Sequence, residues 1–380
     1  MRLVFILLFF FPLSALIADD KPTMSLHGYM QQFEQIAFVD DADSVKLSST
    51  FHNRLNFLAE WKEWTTRIEV RTRLMTGNQL LQPGFQPSGR TEAGLLHLNK
   101  DWVNKRGVAV NTHVERALLV YRKSHWEFSL GRQRVNWGMS SAWNPNDVFN
   151  SYNFLTIDDV ERAGIDALRI HYDVRPFNSI ELVVKQGDRM KDRVAALLSR
   201  GNHFGYDHQL FMGVDSIDLF AGGGWAGHIG KSGFAGEFTG YQPSRDTFHS
   251  RMLLHATVSL DRTFEHGWFI SLSGYWNNHG VVKSVFSPLA SFQQVSKKQL
   301  LPFRYTALMQ ISKQVNPRFA VRFGQLYTPT NNCWVSLPQM EYLISDNWSF
   351  DLAGQAFLGE SGDVFRTQGN LFWIRVKGNF

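Results

Sequence analysis

The last twelve residues of the chain, Gly369-Asn-Leu-Phe-Trp-Ile-Arg-Val-Lys-Gly-Asn-Phe380, alternate with a period of two. Phe372, Ile374, Val376 and Phe380 fall on one side of an extended segment, and Trp373, Arg375, Lys377 and Asn379 fall on the other. Successive side chains of a strand point to opposite faces, so this segment separates an apolar medium from a wet one. A soluble sandwich uses the pattern on an edge strand, whereas a membrane barrel needs it on every strand, with lipid outside and water inside. The two are told apart by how often the pattern recurs.

It recurs along the whole chain. Phe51, Asn53, Leu55, Phe57, Ala59 and Trp61 alternate with His52, Arg54, Asn56, Leu58 and Glu60, and Ile68, Val70 and Leu74 alternate with Arg67, Glu69, Arg71 and Arg73. Met252, Leu254, Ala256, Val258 and Leu260 alternate with Arg251, His255, Thr257, Ser259 and Asp261. Trp348, Phe350, Leu352, Ala356 and Leu358 do the same against Ser349, Asp351, Ala353 and Gln355. After residue 18 no apolar run is long enough to cross a bilayer as a helix, which takes ~20 residues. Cys333 is the only cysteine, so no intrachain disulfide is available and the fold has to be held by its backbone hydrogen bonds.

The connections form a second, independent pattern. With the first strand, about Ser25 to Phe38, running outward, short turns fall near Lys62-Glu63, Lys123-Ser124, Arg175-Pro176, His203-Phe204, Ile229-Lys231, Arg262-His266, Val315-Pro317 and Ser345-Asp346. Longer links fall near 39–48, 76–110, 137–165, 187–191, 243–249, 278–301, 328–333 and 359–364, with one short link near Asp215. Short turns on one rim and long loops on the other are the plan of a transmembrane antiparallel up-and-down β-barrel. The count is about eighteen strands; sixteen is the alternative, since Arg193 to Arg200 has the propensity for a short helix.

Both ends carry address signals. Met1-Arg2, the apolar run Leu3 to Phe11 and Ala18 read as a secretory signal peptide of residues 1–18, leaving 19–380 as one barrel domain. The terminal Phe380 resembles the end signal by which Gram-negative bacteria recognise and insert outer-membrane barrels. The resemblance implies contact with the barrel-assembly machinery and a place among outer-membrane lipid and lipopolysaccharide. A homotrimer stays open, because a trimer seam buries part of the lipid face without changing the parity of the strands.

Parity places Arg54, Arg67, Arg71, Arg73, Arg169, Lys185, Arg251, Arg304, Arg318, Arg322, Arg375 and Lys377 towards the lumen, against Glu60, Glu69, Glu181, Asp261 and Asp351. A basic wall in a confined aqueous bore concentrates anions and favours their passage. Pairing of these arginines with lumen acids, for rigidity alone, is the competing reading.

One loop is too aromatic for water. It follows Gly131-Arg132-Gln133-Arg134 and contains Trp137, Trp143, Asn144, Asp147, Phe149, Tyr152, Phe154, Asp158, Asp159 and Glu161. Its exposure would leave a large apolar area in solvent, so 137–165 is expected to fold inward as a constriction. Its acids are expected to tether to Arg132 and Arg134, because their spacing fits no calcium loop. Gly-Arg-Gln-x-Val-x-Trp-Gly at 131–138 with Asn-Pro-Asn-Asp at 144–147 is similar to a motif in a group of outer-membrane barrels that distantly resembles porin and alginate-export channels in placing a Gly-Arg-Gln strand before a long constricting loop. That resemblance implies a substrate channel with an inward loop and carries no catalytic residues across.

Other chemistries are weakly supported. Gly222-Gly-Gly224-Trp-Ala-Gly227 matches G-x-G-x-x-G, yet it lies in a run that reads as two consecutive strands, where glycine allows a plug to approach the wall. There is no His-Glu-x-x-His and no Gly-x-Ser-x-Gly, and His113, His171, His255 and His279 are scattered. No cofactor, metal or nucleic-acid site is expected. Glu92 to Val103 reads as a short amphipathic helix over the mouth, and 278–301 is apolar enough to pack there. The reading is a channel for small polar, anionic solutes, constricted by 137–165. The alternatives are an enzyme acting on lipid or peptide at the rim and a loop-closed receptor or assembly barrel.

Overall fold

The computed structural model describes residues 21–39, 45–81, 94–150, 154–155, 163–244, 252–280, 296–361 and 364–380. The expected signal peptide lies outside the described residues, as do Tyr152, Asp158, Asp159, Glu161 and Arg251. The strands are β1 (Thr23–Val39), β2 (Val45–Trp61), β3 (Trp64–Thr76), β4 (Asn99–Lys105), β5 (Val108–Lys123), β6 (Trp126–Gln133), β7 (Ile165–Arg175), β8 (Asn178–Lys185), β9 (Val194–His203) and β10 (Tyr206–Asp215). They continue as β11 (Asp218–Ile229), β12 (Ser232–Gln242), β13 (Leu253–Thr263), β14 (Trp268–Asn277), β15 (Tyr305–Asn316), β16 (Phe319–Thr328), β17 (Cys333–Leu343), β18 (Trp348–Ser361) and β19 (Val364–Asn379).

Each strand pairs antiparallel with its neighbours, and β1 closes the ring on β19 from Tyr29 opposite Asn379 to Val39 opposite Gly369. β3 pairs directly with β5, and β4 pairs with β5 alone, so the closed ring counts eighteen strands. Phe51, Leu55, Leu210, Met212, Val258, Leu260, Leu272, Phe372 and Ile374 are exposed, while their neighbours His52, Arg54, Gln209, Ser259, Ser271 and Leu371 are buried. This is the inverse of a soluble protein: the apolar side chains form an outer band that lipid, not water, favours.

All eight short turns fall where the alternation places them, on the rim that also holds the start of β1 and the end of β19. Lys62, Ser124, Phe177 and Phe204 take positive φ there, at 52°, 53°, 65° and 54°, as tight hairpins demand. Residues 194–203 form β9, which removes the sixteen-strand alternative. The glycine-rich stretch is β11, antiparallel between β10 and β12, and has no helix after it.

The helix expected over Glu92 to Val103 does not form, since its part from Asn99 onward is β4. The cause lies in β6, which pairs with β5 only from Ala117 to Lys123. The upper edge of β5 is left with open donors and acceptors, and β4 satisfies them through Asn99 opposite His113, Asp101 opposite Asn111 and Lys105 opposite Val108.

Candidate channel lumen

β6 ends after Gln133, and the chain turns from the wall into the lumen. Gly131 supplies a φ of 120° that a residue with a Cβ rarely adopts. Gln133 donates through Nε2 to the carbonyls of Ser129 and Ala167, at 3.1 and 2.9 Å, which fixes the point of departure. Trp137 is then fully buried, with its indole N–H donating to Glu181 of β8 at 2.7 Å. Its ring meets Phe149 edge-on at 4.8 Å and Phe211 of β10 at 5.4 Å, so the inward fold expected from the aromatic content is present.

Glu237 of β12 is the second anchor. Its carboxylate accepts from the backbone N–H groups of Met139, Ser140 and Asn146 and from Asn144 Nδ2 at 3.3 Å. Asn146 donates to the Gly223 carbonyl at 2.9 Å, and the Thr239 hydroxyl donates to the Pro145 carbonyl at 2.9 Å. Gly224 makes room for this contact: a Cβ there would lie 2.9 Å from Asn146 Nδ2 and 3.2 Å from Met139 Sδ. Further along, Trp143 packs 5.7 Å from Tyr275, and Gln355 of β18 donates to the Leu155 carbonyl at 2.9 Å. The loop therefore crosses from β6 past β8, β12 and β14 to β18 before returning to β7.

A second segment enters from the link between β14 and β15. Leu300, Leu301 and Phe303 are buried in the same apolar cluster as Trp143, Tyr275 and Leu155. Towards β10 and β11, Lys297 binds Asp215 at 2.7 Å and Lys298 binds Asp218 at 2.5 Å. Burial holds the Lys297 ammonium below the usual lysine range, with Asp215 opposing that shift.

The cations concentrate on the wall from β19 through β1 and β2 to β3. Lys377, Gln31, His52, Arg73 and Asn111 stand opposite one another in turn across β19, β1, β2, β3 and β5. One step towards the short-turn rim, Tyr29, Arg54, Arg71 and His113 form the adjoining inward row. His52 lies within electrostatic reach of Arg71, Arg73, Arg375 and Lys377 together. Lys377 sits 4.1 Å above the Tyr29 ring, and Gln31 Nε2 is 3.3 Å from His52 Nδ1. Acids brace the guanidinium groups: Glu115 binds Arg54 and Arg71, Glu69 binds Arg54, and Asp351 binds Arg375 at 3.0 Å. Elsewhere Arg169 is held by Glu127 at 3.0 Å and Glu181 at 2.6 Å, and Arg322 by Glu341 at 2.8 Å. Both readings of the arginines thus have a material basis, since they line the lumen and they pair with acids.

Several expectations are corrected. Arg132 is not a constriction residue: it lies opposite Ala117 and Asp166 on the outward parity, binds Asp166 at 2.7 Å, and donates to the Leu96 carbonyl at 2.6 Å. The tether of the loop acids to Arg132 therefore fails for Asp147, which is buried in the lumen, while Asp158, Asp159 and Glu161 lie outside the described residues. Arg134 is exposed at the start of the loop, within electrostatic reach of Arg116. Arg318 is exposed in the turn before β16, where its carbonyl accepts from Leu343, so it is not a wall residue. Arg67 is on the lumen side, half-exposed and 3.9 Å from Glu69; Lys185 faces Asp215 and Lys297; Arg304 is half-buried just before β15.

Arg116, Glu115, Glu127, Arg200, Glu237 and Glu341 also belong to the lumen and were not foreseen. For the first two the obstacle is a bulge: Glu69 and Val70 stand opposite Arg116 and Val114, so Glu115 is an extra residue that resets the parity of β5. Glu237 is the one acid of β12, on the face it shares with Ala235 and Thr239, and a lone acid among small residues is the available signal.

A closed eighteen-stranded ring with an inward loop and a charged lumen is the architecture of the outer-membrane porins. The fold is similar to that of OccAB1 from Acinetobacter baumannii, with a TM-score of 0.57 at 8% identity over 94% of this chain and 96% of that one. It is similar also to OccD3 (OpdP) of Pseudomonas aeruginosa, with a TM-score of 0.56 at 11% identity over 94% and 91% of the two chains. OpdK of the same organism, crystallised with vanillate, gives a TM-score of 0.56 at 8% identity over 94% and 98%. No protein-family model matches the sequence, and no curated protein matches it.

Proposed function

We propose that the chain is a porin-like channel of the Gram-negative outer membrane through which small polar solutes diffuse, with a preference for anions. The observation that carries the preference is the set of Lys377, Arg73 and Arg71, each partly exposed beside the buried Gln31, His52 and Arg54 on the wall from β19 to β3. The loop anchors itself to acids, Glu181 and Glu237, on the opposite wall. That arrangement takes negative charge out of the bore where the chain crosses it and leaves Lys377, Arg73 and Arg71, the partly exposed cations of this wall, to meet a solute. The vanillate held by OpdK is a carboxylate, which supports the same reading.

No bond-making step is part of the proposal. His171 bonds to the carboxylates of Glu181 and Asp173, and His255 lies between the rings of Tyr241 and Tyr275, which are surroundings of wall residues. The Phe380 backbone exchanges hydrogen bonds of 2.9 and 3.0 Å with Gly28, and its ring points outward, exposed, as an insertion signal for the assembly machinery would.

The test is single-channel conductance and reversal potential of the purified protein in planar bilayers under a salt gradient. A reversal potential on the anion side is expected, and one on the cation side overturns the preference. One observation favours a loop-closed receptor instead: Leu300, Leu301, Phe303 and Trp143 pack together on the long-loop side of the bore. That reading requires no current at any salt or voltage.

A further inference from the structure

We propose that the hairpin of β4 and the start of β5 is a docking site for the phosphorylated, acylated glycolipid of the outer leaflet, lipopolysaccharide. The inference rests on the outer-membrane reading and names the lipid partner and its place. β4 is held on the outer wall by a clamp: the Arg132–Asp166 pair receives Leu96, whose carbonyl accepts from Arg132 Nη2 and whose N–H donates to Asp166 Oδ2 at 2.9 Å. This fixes residues 94–98 over the outward face at the rim of the long loops, and β4 continues from there along β5 with Lys100 opposite Thr112 on the outward parity.

The side chains that the clamp presents are of two kinds. Leu95, Leu96 and Trp102 are 53%, 42% and 58% exposed, a combination that water disfavours and a bilayer interface accepts. The indole is not loose, since Trp102 Nε1 donates to Thr112 Oγ1 at 2.9 Å and the Lys100 ammonium lies 4.3 Å over the ring. Lys100, Lys105 and Arg106 are exposed around it.

The nearby acids are already committed. Asp101 accepts from Asn111 at 2.6 Å, Asp188 pairs with His97 at 3.0 Å, and Asp166 pairs with Arg132. Among the described residues none makes an ion pair with Lys100, Lys105 or Arg106. Three unneutralised cations beside exposed Leu and Trp, continuous with the apolar belt, complement a ligand that carries phosphates above acyl chains. A free phosphate would use the cations and leave the apolar side chains in water.

The test is binding of purified lipopolysaccharide, and separately of neutral phospholipid vesicles, to the full protein in detergent. The variants are K100E/K105E/R106E and W102A, with the heat-dependent shift in gel mobility confirming that each barrel is folded. The triple reversal is expected to weaken lipopolysaccharide binding roughly a hundredfold, and W102A to weaken it while leaving its salt dependence unchanged. Millimolar inorganic phosphate is expected not to compete. Equal binding by the triple variant, equal binding of neutral vesicles, or full competition by phosphate overturns the proposal. Bilayer conductance of the same variants is expected to match that of the parent, which keeps the outcome separate from the channel reading.

Discussion

Glu237 carries more of the constriction than any arginine does. Its two oxygens take three backbone N–H groups and an amide of the loop, so Glu237→Ala leaves buried donors without an acceptor at about 1–3 kcal/mol each. The expected result is a loop cut by protease between residues 139 and 146 in the folded barrel and a raised single-channel conductance; unchanged proteolysis would show that the remaining anchors, Trp137 among them, hold the loop without Glu237. Gly224→Val tests the same contact from the wall, because overpacking against Asn146, Met139 and the Gly236 carbonyl of β12 costs about 1–3 kcal/mol and is expected to raise cleavage of the loop. Single residues of the site were unevenly legible in the sequence. Trp137, Trp143 and Phe149 could be placed inside from their size alone. Glu237 and Arg132 could not, since the meaning of each is set by a partner that folding brings from 91 or more and from 34 positions away, respectively.

At the scale of elements, alternation and turn residues were sufficient for the ring, because a strand between lipid and water has only one register that keeps its faces apart. They failed at the link between β3 and β5. Glu92 to Val103 has a helix-like distribution of apolar residues, and nothing in it announces that β6 stops short and leaves an edge to be filled. The segment before β15 adds a prediction with a definite sign. Lys297 is held below the ordinary lysine value when seated on Asp215, so the released segment binds its proton more tightly than the seated one. Raising the pH towards the ordinary lysine range therefore favours the seated arrangement, and lowering it does not. A thiol reporter at Leu300 is expected to react more slowly as pH rises, after correction for thiolate formation; faster reaction reverses the assignment. Lys297→Met removes this dependence.

For the whole molecule, the inward cations matter through their sum. Reversing Arg73 and Lys377 to glutamate turns the ends of the cationic row and is expected to move the reversal potential towards cations, with the barrel still heat-modifiable on gels. Reversing Arg322, braced by Glu341 on another wall, is expected to do much less. The early end of β6 has a wider meaning. The constriction is made from chain that the wall gives up, and the gap is filled by a segment donated from the preceding loop. Bore width and wall integrity are thus linked variables: lengthening β6 to seal the barrel would withdraw the residues that narrow it, and a longer constriction would open a slot that only a longer β4 could fill. A lineage that retunes this bore has to alter both stretches together.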